Sequence, residues 1–129
     1  MTDIDTVVEH YMVAALWSST NDEALDSDGS LLDNDESEYM DGKYSIDDFS
    51  SEAYEACLAD VEGFIEAAGS LLDGLDDEMI GHDIWLTRNG HGAGFWDRGY
   101  GEVGDQLSDI ARAMGEVNLY SIGGKVEVE

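Results

Sequence analysis

Residues 81–101, "GHDIWLTRNGHGAGFWDRGYG", gather two of the three histidines, two of the three tryptophans and two of the three arginines of the chain. His82, Arg88, His91, Asp97 and Arg98 are the residue types that proton transfer on an anionic substrate requires. An imidazole held by a carboxylate can move a proton, and a guanidinium beside it can bind the anion. This set defines one reading of the protein, a small enzyme or ligand-binding protein working through a Gly-rich hairpin. The run "NGHGAG" lacks the Lys-Ser/Thr ending of a P-loop and the G-x-G-x-x-G spacing of a dinucleotide site, and no G-x-S-x-G or H-E-x-x-H supplies a nucleophile or a metal. The same stretch also serves as scaffold: glycines shape turns, Trp85 and Trp96 fill a core, Asp97 pairs with Arg88 or Arg98, and Asn89-Gly90 is a common turn dipeptide. Spacing alone does not bring the five side chains together, so the scaffold reading takes precedence.

The background is a field of carboxylates. The chain of 129 residues carries 31 Asp and Glu against 5 Lys and Arg, a formal charge of −26. Such a balance opposes the compact state by self-repulsion and excludes a nucleic-acid backbone or an anionic membrane as partner. Basic protein surfaces and cations are the complementary partners. The acidic stretch "DSDGSLLDNDESE" fails as an EF-hand, which needs glycine at its sixth position: counted from Asp26 that position is Leu31, and from Asp33 it is Glu38. No metal and no cofactor is expected. Cys57 is the single cysteine, which leaves neither a disulfide nor a zinc cluster and points to a reducing compartment. The opening residues lack the basic segment of a secretion signal, and no apolar run is long enough to span a membrane. A soluble protein of the cytoplasm is expected.

The elements that would position these groups form one α+β domain over residues 1–129. An amphipathic helix within residues 1–20 uses Ile4, Val7, Val8, Tyr11, Ala15 and Leu16, with Thr2 or Asp3 as cap. Residues 21–49 form an acidic, partly flexible loop, which Leu31, Leu32, Tyr39, Met40, Tyr44, Ile46 and Phe49 can pin to the body. Residues 50–129 form a compact α+β body. It begins with a long helix over 51–72, capped by Ser50 or Ser51, whose apolar stripe is Tyr54, Cys57, Leu58, Val61, Ile65, Ala68 and Leu72 with Phe64 and Leu71 at its edge. After a helical turn at 75–80, "HDIWLTR" reads as a strand and "GFWDR" as its return. A short helix over 102–114 closes at Gly115. "VNLYSIGGKVEVE" is a second hairpin around Gly123-Gly124, with Val117, Leu119, Val126 and Val128 on one face. The expected sheet is therefore small, antiparallel and built from two hairpins with a helix between them.

The acidity is regional. Residues 1–80 carry a net −22 and residues 81–129 a net −4. A salt-adapted protein of unrelated function, a further reading, would spread its carboxylates more evenly. Glu52, Glu55, Glu62 and Glu66 fall on the polar side of the long helix, where like charges at helical spacing weaken the helix. No base relieves them between Lys43 and Arg88. Duplex DNA presents about one charge per 1.7 Å of axis, and a dense, unmixed array of this kind imitates it. These four glutamates, with Asp22, Glu23, Asp33, Asp35, Glu36 and Glu38 of the loop, are the expected partner-binding residues.

Residues 81–99, "GHDIWLTRNGHGAGFWDRG", resemble the signature stretch of a family of small proteins encoded by tailed bacteriophages and related mobile elements. In that family a histidine-aspartate-x-tryptophan strand, a Gly-rich turn and "FWDRG" follow an acidic helix and precede a short helix and a final hairpin. The resemblance covers residues 50–129. It implies a phage or mobile-element origin and transfers no catalytic role. Charge and implied origin together lead to the expectation of a DNA-mimic-like inhibitor, not an enzyme, acting in the host cell. Its partner would be a basic host protein: a nuclease, a restriction or CRISPR component, or another DNA-binding protein. A homodimer would double the charged surface.

Overall fold

A computed structural model of the chain describes residues 3–18, 44–90, 95, 101–122 and 124–128. They form α1 (Ile4–Ser18), α2 (Ser51–Ala68), α3 (Asp77–Arg88), α4 (Glu102–Ala113), β1 (Leu119–Ile122) and β2 (Lys125–Val128). Among the described residues the fold is mixed α+β, with four α-helices and one two-stranded antiparallel sheet. No helix among them is long and apolar enough to cross a membrane.

Capping chemistry starts three of the helices where short polar side chains can satisfy free backbone N–H groups. The Asp5 N–H donates to Asp3 Oδ1 at 3.2 Å, Ala53 to the Ser50 hydroxyl at 3.0 Å, and Glu78 to Asp76 Oδ1 at 2.8 Å. α1 buries Val7, Val8, Tyr11, Ala14, Ala15 and Leu16, and α4 buries Leu107 and Ala111, as their 3.6-residue periodicity requires. Gly115, at φ 81°, ends α4 in the left-handed conformation. The stripe of α2 is turned from its expected setting. Phe64 lies in the core, 1 % exposed, whereas Tyr54 is 39 % exposed. The Phe64 ring stacks on Phe95 with centroids 5.4 Å apart, and that partner draws the buried face toward position 64.

The expected strand "HDIWLTR" is instead the second half of α3. Ile84, Leu86 and Thr87 are buried, and so are Asp83, Trp85 and Arg88. A helix enclosed on several sides loses its one-sided polarity, and the continuous apolar run Ile84-Trp85-Leu86 imitates a buried strand. Asn89-Gly90 consequently ends a helix and makes no hairpin turn: Asn89 Nδ2 donates to the Trp85 carbonyl at 3.0 Å, and Gly90 takes φ 72°. The return strand "GFWDR" lies outside the described residues except for Phe95, whose N–H donates to the Thr87 hydroxyl at 3.2 Å. The sheet thus has one hairpin among the described residues. That hairpin has the expected register, Leu119 opposite Val128 and Ile122 opposite Lys125, with Leu119 and Val126 buried. Phe49 pairs with Val126, and the Ser50 N–H donates to the Val126 carbonyl at 3.0 Å. These contacts join the start of α2 to the sheet.

α3 packs most extensively on α1, and Gly81 sets their approach. A Cβ at Gly81 would collide with the Val7 carbonyl oxygen and lie 2.9 Å from the Tyr11 backbone nitrogen. Two backbones cannot yield as a flexible side chain would. Gly63, in the middle of α2, is the opposite case, since a Cβ there meets nothing within 4 Å. Gly81→Ala is therefore expected to lower the unfolding free energy by about 2–3 kcal/mol through overpacking. Gly63→Ala should raise it by about 0.5–1 kcal/mol through helix propensity. Urea denaturation of the two variants checks the opposite signs.

Candidate functional site

Arg88, a member of the expected proton-transfer set, is a structural hub. Its side chain is 4 % exposed, and Nη1 lies 2.8 Å from Asp60 Oδ2 on α2. The same nitrogen donates to the Tyr11 hydroxyl of α1 at 2.9 Å. Nε donates to the Gly115 carbonyl at 2.7 Å and Nη2 to the Met114 carbonyl at 2.9 Å, both at the end of α4. The planar guanidinium offers five N–H donors in a fixed fork, and four of them meet acceptors from three other helical segments. The Tyr11 hydroxyl also reaches toward Asp60 Oδ2 over 3.5 Å. Burial raises the Tyr11 phenol above its ordinary range, against the opposing pull of Arg88. Burial, reinforced by the Asp60 charge, pushes the neighbouring Cys57 thiol up to about 12. Cys57 is thus a protonated core side chain at neutral pH and not a nucleophile.

His82 is elsewhere. Six positions along a helix correspond to about 240° of rotation and roughly 9 Å of rise from Arg88. The half-buried His82 ring has its centroid 5.5 Å from that of His10 and 6.2 Å from that of Trp17. His10 in turn lies 3.9 Å from Glu78. The structure therefore does not bring His82 and Arg88 to one cleft. His91, Asp97 and Arg98 lie outside the described residues. Among the described residues no group of three His, Cys, Asp or Glu side chains is placed to hold a metal ion.

The acidic set fares differently. Glu52, Glu55, Glu62 and Glu66 are all exposed on α2, opposite the face that buries Cys57, Val61, Phe64 and Ala68. α2 contains no basic residue. Asp22, Glu23, Asp33, Asp35, Glu36 and Glu38 lie outside the described residues. Sequence reasoning missed Asp60 and Tyr11. The available signal was spacing: Asp60 stands three and four residues from Cys57 and Phe64, on the edge of the buried stripe, apart from the four exposed glutamates. Asp97, the expected partner for Arg88 or Arg98, lies outside the described residues, and Asp60 pairs with Arg88 because α2, packed across α3, delivers it.

Comparison with protein-family models, with curated proteins and with solved structures finds no match to this chain.

The hub makes a graded prediction. Arg88→Met should cost about 3 kcal/mol, the lower end for breaking a buried pair, because the Asp60 side chain is 35 % exposed and solvent screens it. Arg88→Lys keeps the charge but cannot reach four acceptors, so it should recover only a minor part of that loss in chemical denaturation. A lysine variant as stable as the parent would reduce the hub to a single ion pair.

Proposed function

We propose that this protein is an acidic, DNA-mimic-like protein of a phage or mobile element that binds and inhibits a host defence or nucleic-acid-binding protein. The observation that carries this reading is the unmixed carboxylate face of α2, where Glu52, Glu55, Glu62 and Glu66 stand exposed with no base on the helix.

Magnitudes define how the mimicry works. From Glu52 to Glu66 the helix rises about 21 Å, so its four carboxylates are sparser than the roughly one charge per 1.7 Å of duplex DNA. The remaining acids of a chain at −26 supply the wider field. That field steers a basic groove into encounter at long range, and the α2 face provides a rigid row at contact. The partner is a basic DNA-binding protein of the host cytoplasm. The enzymatic reading is weaker, since the Arg88 guanidinium already serves protein acceptors and is not available to bind an anion.

Capture from host lysate across a salt series tests the reading. The protein should retain a DNA-binding protein at low salt and release it as salt rises. Replacing Glu52, Glu55, Glu62 and Glu66 together by Gln should weaken that retention by at least about tenfold, roughly 1.4 kcal/mol. The fold should survive, because the replacement relieves like-charge repulsion. Recovery of no DNA-binding protein at low salt would remove the proposal. Stability rising steeply with molar salt, with no such partner, would favour salt adaptation.

A further inference from the structure

An open trough of about 510 Å³ runs between α2 and α4. Ala59, Gly63 and Ala67 of α2 form one wall, Ile110 of α4 and Met114 just after it the other, and Phe64 lies at the base. Ala59, Gly63 and Ala67 are exposed, so the trough is a surface feature and not an enclosed cavity. Asp60 and Arg88 also line it, but the Arg88 donors are occupied by protein acceptors. A small-molecule site would offer convergent free polar groups, and this lining offers an apolar one instead.

The trough has no internal reason to be bordered by glycine. A Cβ at Gly63 meets nothing within 4 Å, and glycine in a helix interior weakens the helix. What Gly63 provides is room for another backbone to approach. The edges supply the charge. At 100° per residue, Glu66, Glu55 and Glu62 lie about 60–100° around α2 from Gly63, on the side away from the core. Glu102 and Asp109 lie about 80–100° around α4 from Ile110, likewise on the outer side. All five are exposed. The exposed cation of α4, Arg112, is about 160° from Ile110. An apolar trough between two acidic edges is the complement of a helix with an apolar stripe flanked by lysine and arginine.

We infer that the α2/α4 trough receives a basic amphipathic helix of the partner protein, its apolar side chains seated over Gly63 and its cations against the glutamate edge. This rests on the acidic-inhibitor reading above and locates the contact within it. A second copy of the chain would bring the same −26 charge to the same edges, which disfavours self-pairing.

The probe is a synthetic leucine/lysine peptide about five helical turns long, with leucines at i, i+3, i+4 and i+7, compared with a scrambled isomer of equal charge. The full chain should bind the patterned peptide at least about tenfold more tightly than the scrambled one at low salt. The double variant Gly63→Leu/Ala67→Leu fills the trough without changing charge. It should abolish the preference and leave scrambled-peptide affinity unchanged. Its melting temperature should not fall, because the added side chain at position 63 starts in open space. Equal affinity of the parent protein for both peptides would overturn the trough while leaving charge-driven binding intact. A preference that persists in the filled, folded variant would also overturn it. Binding of neither peptide would overturn both this inference and the reading beneath it. A dimer that the double variant converts to monomer would assign the trough to self-association instead.

Discussion

The buried guanidinium of Arg88 is the contact on which the other elements depend. It binds Asp60 of α2, Tyr11 of α1 and the two carbonyls that end α4, from a position at the last residue of α3. A charge is costly to bury unless its donors are satisfied, and here the satisfying groups come from α1, α2 and the end of α4. Helix packing and hydrogen bonding are therefore coupled: α2 cannot shift along α3 without exposing the charge, and α4 cannot end elsewhere without losing its acceptors. Nearby polar groups follow the same logic. The Trp85 indole donates to the Ser18 hydroxyl at 2.8 Å, and Ser18 donates onward to the Ala14 carbonyl at 2.7 Å. Asn89 joins the end of α3 to the chain after α4 by accepting from the Val117 N–H at 2.9 Å.

The same contact bears on function. In a chain at −26, the compact state must withstand considerable self-repulsion. The core of Val7, Tyr11, Val61, Phe64, Ile84, Trp85 and Leu107, each at most 2 % exposed, opposes it by burial. Arg88 pairs with the part-exposed Asp60, and α2 itself carries no base beside its outward carboxylates. One face of α2 is anchored in the core and the other carries glutamates, so the charged row sits on a rigid element. A row fixed in this way loses less conformational entropy on association than carboxylates on a free chain.

Local periodicity made several elements legible. α1, α4 and the final hairpin are each amphipathic with one face to the core, and their apolar positions repeat at the period of the structure they adopt. The start of α2 was legible, but its end was not, since the helix expected over 51–72 stops at Ala68 and continues as a 3-10 turn over Gly69–Leu72; its rotation was not legible either, because the Phe64–Phe95 stack depends on a residue 31 positions away. α3 was misread for a more general reason. Its enclosure by other elements buries polar and apolar residues alike, and the short continuous apolar run Ile84-Trp85-Leu86 then reads as a buried strand. The exposure of Glu52, Glu55, Glu62 and Glu66 was legible because a row of like charges is a local pattern. The Arg88–Asp60 pair was not, since it joins residues 28 apart and only the crossing of α2 and α3 brings them together. The concentration of His, Arg and Trp in "GHDIWLTRNGHGAGFWDRG" marked the helix that organises the core. Arg88 within it is a packing device, and His82 faces another side.

Competition between this protein and duplex DNA for a basic DNA-binding protein recovered from host lysate tests the central claim most directly. If the carboxylate surface occupies a nucleic-acid groove, the two ligands exclude each other: labelled duplex should be displaced by the parent protein, and displacement should weaken when the α2 glutamates are replaced by glutamine. A ternary complex, in which the captured protein holds duplex DNA and this protein together with unaltered affinities, would contradict the account.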